Sequence, residues 1–348
     1  MDILGFGKLI YHYDKLEKLK RNTLQFPVHA TVSLGNFCNH RCLWCTVYAA
    51  QQKDVQHMDG DRLIAFLTRA RERGLKAVGY VGNGEPTAHP KFREIIHAVH
   101  ELSLEQGMFT NGYLLDRVFD EALEFFTYIR ISLDAGTGAV HDAMHDVDGH
   151  FEKIMANLSI LVSRRDGEGP TLGIQYAVHH RNLDDMHEAA RRARDVGVDY
   201  FSIKPVFNRG AVGERIEKNR LTLDDLSPEV ARIRRDFESS AFAVHFRPFQ
   251  VLSEAADHNV LTYDRCVAGF FNVNVYEDGR IVGCGPHQVS VGVMEDDLDD
   301  IERAIRDASH ALDLSKCPGG CRYHALNHLG DTVLNPERTR HHQCPAGR

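Results

Sequence analysis

Between about residues 27 and 205 the hydrophobic pattern alternates between two periods. Short β-branched or aromatic runs stand between segments whose apolar residues recur every three or four positions. The runs predict strands over His29–Leu34, Ala77–Val81, Gln106–Thr110, Tyr128–Leu133, Thr171–Val178 and Tyr200–Lys204. The longer segments predict helices near Asp61–Arg73, Lys91–Leu102, Leu115–Phe126, Phe151–Arg164 and Leu183–Val196. In the first of these Leu63, Ile64, Leu67 and Ala70 fall on one face, and Gly74 supplies a C-terminal stop. Such alternation predicts an α/β fold with a parallel sheet, and catalytic groups then belong at the C-terminal ends of the strands.

Outside this stretch the pattern changes. An amphipathic segment from Leu9 to Leu19 predicts a helix in an N-terminal extension, residues 1–26. A charged stretch, Gly210–Arg220, and a helix over Pro228–Glu238 lead out of the repeating region. Residues 251–348 read as a separate small α+β unit with a hairpin, a helix over Leu298–Leu312 and five cysteines. In the hairpin, Phe271–Tyr276 and Arg280–Val282 flank the turn Glu277-Asp278-Gly279.

Composition narrows the classes. Hydrophobic residues at 43% and charged residues at 26% are ordinary for a globular protein. A net charge of −8 without a basic stripe argues against nucleic-acid binding. No run of 18 apolar residues is present, and the start lacks a signal-peptide pattern. The expectation is a cytoplasmic protein whose 8 cysteines are metal ligands or thiols rather than disulfides.

The chemistry concentrates in Gly35-Asn36-Phe37-Cys38-Asn39-His40-Arg41-Cys42-Leu43-Trp44-Cys45, spacing C-x₃-C-x₂-C, directly after the first strand. Three thiolates on one loop can face one metal centre, and sulfur suits iron–sulfur clusters and zinc. A cubane has four irons, so three cysteines leave one iron open, whereas structural zinc takes four closed ligands. The bland alternative is a chance cluster of buried thiols.

This window resembles the signature of the radical S-adenosylmethionine (SAM) enzymes. The resemblance implies a partial (β/α)₆ barrel over residues 27–250 and a [4Fe–4S] cluster on Cys38, Cys42 and Cys45, with SAM on the fourth iron. It implies that Trp44, the only tryptophan, lies near the adenine. Gly82-Asn83-Gly84-Glu85-Pro86 is similar to the family's GGEP element, with Asn83 replacing the first glycine. Asn83, Gly84 and Glu85 are then expected at the SAM amino group, held by Glu85 or neighbouring backbone. Thr110-Asn111-Gly112 ends the third strand, and Ser132-Leu133-Asp134, the family's SLD segment, ends the fourth; Ser132 and Asp134 are expected at the ribose. Taken alone, both segments are ordinary turn chemistry. Gln175 and Lys204 are polar positions in apolar strands and are candidates to face SAM or substrate.

Cys266-x₁₂-Gly279-x₄-Cys284, followed by Cys317, Cys321 and Cys344, resembles the auxiliary-cluster domains called SPASM and, when shortened, twitch. The full pattern has seven cysteines; five imply one auxiliary [4Fe–4S] cluster on Cys266, Cys284 and Cys321, with Cys317 or Cys344 as the fourth ligand. The leftover thiol is either inert or a hydrogen-atom donor. A zinc ribbon is the alternative for this half.

These pieces lead to an expected function: a radical SAM oxidoreductase. Its radical takes hydrogen from a small polar metabolite (a sugar, aminocyclitol or nucleoside), and the auxiliary cluster accepts an electron. A flavodoxin or ferredoxin is the expected electron donor. Peptide or protein modification is the alternative, disfavoured because the stretch before Cys38 is short for a leader-binding domain. Epimerisation through the spare cysteine is a further one. An electron carrier without catalysis would need neither an open iron nor the Glu85 loop.

Overall fold

Seven strands run parallel in chain order, each beside the next. They are β1 (His29–Val32), β2 (Ala77–Tyr80), β3 (Glu105–Thr110), β4 (Phe126–Ser132), β5 (Thr171–Val178), β6 (Tyr200–Pro205) and β7 (Ala243–Phe246). The computed structural model describes residues 11–167, 169–248, 261, 263–317, 321 and 323–335.

Strand alternation divides the sheet into two faces. Ile129, Ile131, Leu172, Ile174, Tyr176, Val178, Phe201 and Ile203 are buried in the main core under the helices. Each such side chain contributes about 1.5–3 kcal/mol when fully buried. Ser132, Gln175 and Ser202 pair in one row on the opposite face, and Lys204 pairs with Ala177 in the next. Alternation puts Gly173 on that opposite face too, and it is glycine there because a Cβ would stand 2.0 Å from the Tyr200 ring.

The helices follow the apolar spacing. Gly60–Glu72 buries Leu63, Phe66, Leu67 and Ala70 and is capped by Asp59, whose side chain accepts from the backbone N–H of Asp61 and Arg62. Phe92–Glu101 buries Phe92, Ile95, Ile96 and Val99. The expected Leu115–Phe126 helix is a 3₁₀ turn, Leu115–Arg117, followed by a helix, Phe119–Phe125. The helix expected from Pro228 starts earlier, at Leu223, because Thr222 and Asp225 form a reciprocal capping box. Pro228 is tolerated inside it. The N-terminal helix runs Tyr13–Lys20; the start of its expected span, Leu9 and Ile10, lies outside the described residues.

The C-terminal hairpin forms where its turn signal stands, as β8 (Asn272–Val275) and β9 (Arg280–Cys284), with β10 (Val289–Val293) following antiparallel. What the pattern does not reveal is that β8 pairs parallel to β1, with His29 opposite Asn272 and Val32 opposite Val275. One ten-stranded sheet therefore runs from β10 to β7. Ion pairs reinforce the join: Arg62 meets Glu295 at 2.6 Å, and Arg73 meets Asp299 at 2.5 Å and buried Glu302 at 3.0 Å. The hairpin turn thus stands at the same end of the sheet as the cysteine loop. Among the described residues no helix is long and apolar enough to cross a membrane.

Candidate active site

The cysteine loop leaves β1 and is held on three sides. Asn36 spans its base, donating to the carbonyls of Ala50 and Asp54 and accepting from the Gln56 N–H. From the second side the Glu85 N–H donates to the Phe37 carbonyl at 2.9 Å. That approach requires glycine at position 84, where a Cβ would lie 2.2 Å from the Phe37 oxygen. On the third side the N–H groups of Arg41 and Leu43 donate to the carbonyls of His145 and Met144, while Ala211 N–H donates to Cys45.

The thiols of Cys38, Cys42 and Cys45 stand part-buried on this loop, where, among the described residues, Arg215 is the one cation whose charge acts on Cys45. Burial pushes the Cys38 thiol up to about 12, with Glu85 adding to the effect. Burial raises Cys42 well above, and Cys45 above, an ordinary thiol. Buried sulfurs of this kind fit a centre that supplies its own positive charge, as iron does. Trp44 is buried beside Met144, Val206 and Ile216 and stacks on His179 with ring centroids 6.3 Å apart. It forms an apolar wall suited to a flat aromatic ligand.

Glu85 is buried and hydrogen-bonded through both oxygens. Oε1 accepts from the Thr87 N–H, the Thr87 hydroxyl and the Thr110 hydroxyl, and Oε2 accepts from the Asn111 N–H at 2.8 Å. Burial raises its pKa. The carboxyl expected at an ammonium also braces the Gly82–Pro86 loop against the end of β3. Asp134 is similar: in a left-handed conformation, it accepts from the Ala177 N–H at 2.5 Å and its carbonyl accepts from Asn182. Ser132, two residues earlier, keeps its place in the row with Gln175. Lys204 Nζ lies 4.9 Å from the Phe207 ring.

Sequence reasoning missed a histidine cluster behind the loop. His40 Nδ1 lies 3.0 Å from His145 Nδ1, and His40 Nε2 lies 3.0 Å from His150 Nδ1. His145 Nδ1 also lies 3.4 Å from Cys42 Sγ, and its Nε2 stands 3.2 Å from Asp134 Oδ2, off the line of a hydrogen bond. Ligand atoms of His40, Cys42 and His145 fall within 4.8 Å of one another. Burial lowers His40 to about 2 and His141 to about 3, so both are neutral near neutral pH. The signal was available: His141 and His145 are four apart, one helical turn, in the helix Gly138–His145 that the hydrophobic pattern did not reveal.

At the other end of the chain Cys266, Cys284, Cys317 and Cys321 gather. Burial and the three neighbouring thiols push Cys317 up to about 11. His287 Nε2 lies 3.3 Å from Cys317 Sγ, and Asn327 Nδ2 lies 3.5 Å from Cys266 Sγ. Cys344 lies outside the described residues.

Comparison with known proteins bears on what these two sites do. Residues 32–193 match the Radical SAM superfamily. The chain is 23% identical over 336 residues to the antilisterial bacteriocin subtilosin biosynthesis protein AlbA of Bacillus subtilis, covering 88% of this chain and 69% of AlbA. It is 22% identical over 280 residues to the PqqA peptide cyclase of Gluconobacter oxydans, covering 79% and 75%. In fold it resembles SuiB of Streptococcus suis, solved bound to SAM, with a TM-score of 0.67, 18% identity, and 92% and 79% of the two chains covered. These relatives overturn the expected small-metabolite dehydrogenase. Those that match over most of the chain are named for a bacteriocin and a peptide. Cluster spacing reports the cofactor chemistry and is silent on the substrate, so the weight placed on a short N-terminal stretch was misplaced.

Proposed function

Since the chain belongs to the radical SAM superfamily and carries a SPASM-type auxiliary-cluster domain, we propose that it modifies a peptide. The observation that carries this reading is the reach of the two relatives named for peptide products, which extends beyond the barrel into the C-terminal unit. The enzyme uses SAM and a [4Fe–4S] cluster, with an auxiliary cluster besides. When bound, these supply one-electron cleavage of SAM and a carbon radical that takes a hydrogen atom from an unactivated C–H bond.

In this reading Cys38, Cys42 and Cys45 hold the first cluster, and Cys266, Cys284, Cys317 and Cys321 hold the second. Cys317 is preferred to Cys344 because it stands among the other three thiols. Trp44 shields the bound SAM, and Gly84 lets the Gly82–Pro86 loop close against the cysteine loop. Glu85 and Asp134 keep the ends of β3 and β5 in place. Gln175 and Lys204 present polar groups from the face opposite the helices, where a substrate is oriented. The electron comes from an external donor such as a flavodoxin or ferredoxin.

The test is anaerobic turnover of the reconstituted protein with SAM and candidate precursor peptides. Peptide-dependent 5′-deoxyadenosine with a mass change in the peptide is expected. Turnover confined to non-peptide substrates would overturn the proposal.

A further inference from the structure

A second carboxyl reaches the catalytic end of the sheet from the C-terminal unit, and one of its oxygens has no donor among the described residues. Glu277 sits in the turn between β8 and β9, closed by the Tyr276 N–H donating to Arg280 and by Gly279 at φ +88°. Parallel pairing of β8 with β1 carries this turn to the cysteine-loop end, where the Ser33 N–H donates to the Val275 carbonyl at 2.8 Å. There Glu277 Oε1 accepts from Asn83 Nδ2 at 2.8 Å. Asn83 is itself fixed, its N–H donating to the Ser33 hydroxyl and its carbonyl accepting from Gln51 Nε2, each at 3.0 Å. The Oε2 atom of half-buried Glu277 is itself buried and has no hydrogen-bond partner among the described residues.

Among the described residues no ion pair is made to Glu277, although Arg280 is close enough to feel its charge. Arg280 pairs with Asp278 at 2.6 Å, and Arg62, which flanks Gly279, pairs with Glu295 at 2.6 Å. The loop's own carboxyl, Glu85, already accepts four hydrogen bonds. A buried acceptor left without a donor is costly, and a charged donor is its strongest complement. We infer that Glu277, aimed by Asn83, is a binding residue for an amino group at the junction of the two units. The group belongs either to SAM, through its α-amino nitrogen, or to an amine of the substrate. The replacement of a glycine by Asn83 in the Gly82–Pro86 loop then has a purpose: its side chain orients a carboxyl from the auxiliary unit.

The SAM alternative stands whether or not the substrate is a peptide; the amine alternative rests on the peptide reading. The test uses full-length protein with both clusters reconstituted, and the iron content of each variant is checked first. Equilibrium dialysis measures SAM affinity, and calorimetry on SAM-loaded protein measures Nα-acetyl-lysine amide as the amine probe. If SAM supplies the amino group, Glu277→Gln weakens SAM about tenfold, the size of one lost charge-assisted contact, and leaves an analogue lacking the α-amino group unaffected. If the substrate supplies it, SAM affinity is unchanged, and the wild type binds the amide while Glu277→Gln does not. Should Glu277→Gln fail to assemble its clusters, Asn83→Ala takes its place, with the same outcomes at smaller size. Unchanged SAM affinity together with unchanged or absent amide binding overturns the inference. Peptide turnover that survives that result leaves the peptide reading intact.

Discussion

The two cysteine sets are built in opposite ways. Cys38, Cys42 and Cys45 come from one uninterrupted window after one strand, so their proximity is nearly guaranteed by chain connectivity. Cys266, Cys284, Cys317 and Cys321 come from a loop before β8, the end of β9 and the segment beyond the helix Leu298–Ala311. The first set needs a cradle; the second needs a fold. That difference predicts asymmetric failure: the N-terminal set can be emptied without harming its partner, while the C-terminal set depends on the whole unit around it.

The largest effect tests independence. Changing Cys38, Cys42 and Cys45 together to Ala is expected to abolish 5′-deoxyadenosine formation and to lower iron from about eight to about four per chain, one cubane remaining. Loss of all iron would show that the two sets are not separate. Next, Cys317→Ala is expected to lose about four irons while SAM cleavage persists, and Cys344→Ala to keep about eight. The reverse pattern would exchange the ligands. Smaller is Gly84→Ala, which forces the cysteine loop away from the Gly82–Pro86 loop. Overpacking of this kind costs about 1–3 kcal/mol, read as a lower midpoint in urea unfolding. An unchanged midpoint would mean the two loops are not locked together.

A further effect is on pH and develops only in acid. His40 and His141, lowered to about 2 and about 3 by burial, stay neutral in the fold, while in the unfolded chain they take up protons near their ordinary pKa. Their contribution is therefore full above about pH 6.5 and is lost as pH falls toward 3, at roughly 1.4 kcal/mol per unit for each histidine. His141→Phe should flatten the acid limb of stability measured between those limits. An unaltered slope would mean His141 is not held neutral.

Connectivity also explains what was legible. The six expected barrel strands appear with ends shifted by no more than two residues, because their alternation and bounding turns are local signals. The Cys38–Cys45 window and the Glu277–Gly279 hairpin turn are local too. The β8–β1 pairing joins residues far apart in the chain, such as His29 and Asn272, and no spacing announces it. Without that pairing Glu277 could not be placed beside Asn83, nor His145 beside Cys42 without the unforeseen helix Gly138–His145. Glu85 was found by its motif, but its four donors are a property of the folded loops. Substrate class was the least legible, since the residues that meet a substrate share no fixed spacing.

Hydrogen transfer from a peptide is the most direct measure of the account. A candidate precursor peptide made with deuterium at its carbon positions, incubated anaerobically with reconstituted protein, SAM and reductant, is predicted to yield 5′-deoxyadenosine carrying deuterium. The variant lacking Cys38, Cys42 and Cys45 should yield none. Unlabelled 5′-deoxyadenosine alongside a modified peptide, or label transferred by that variant, would contradict it.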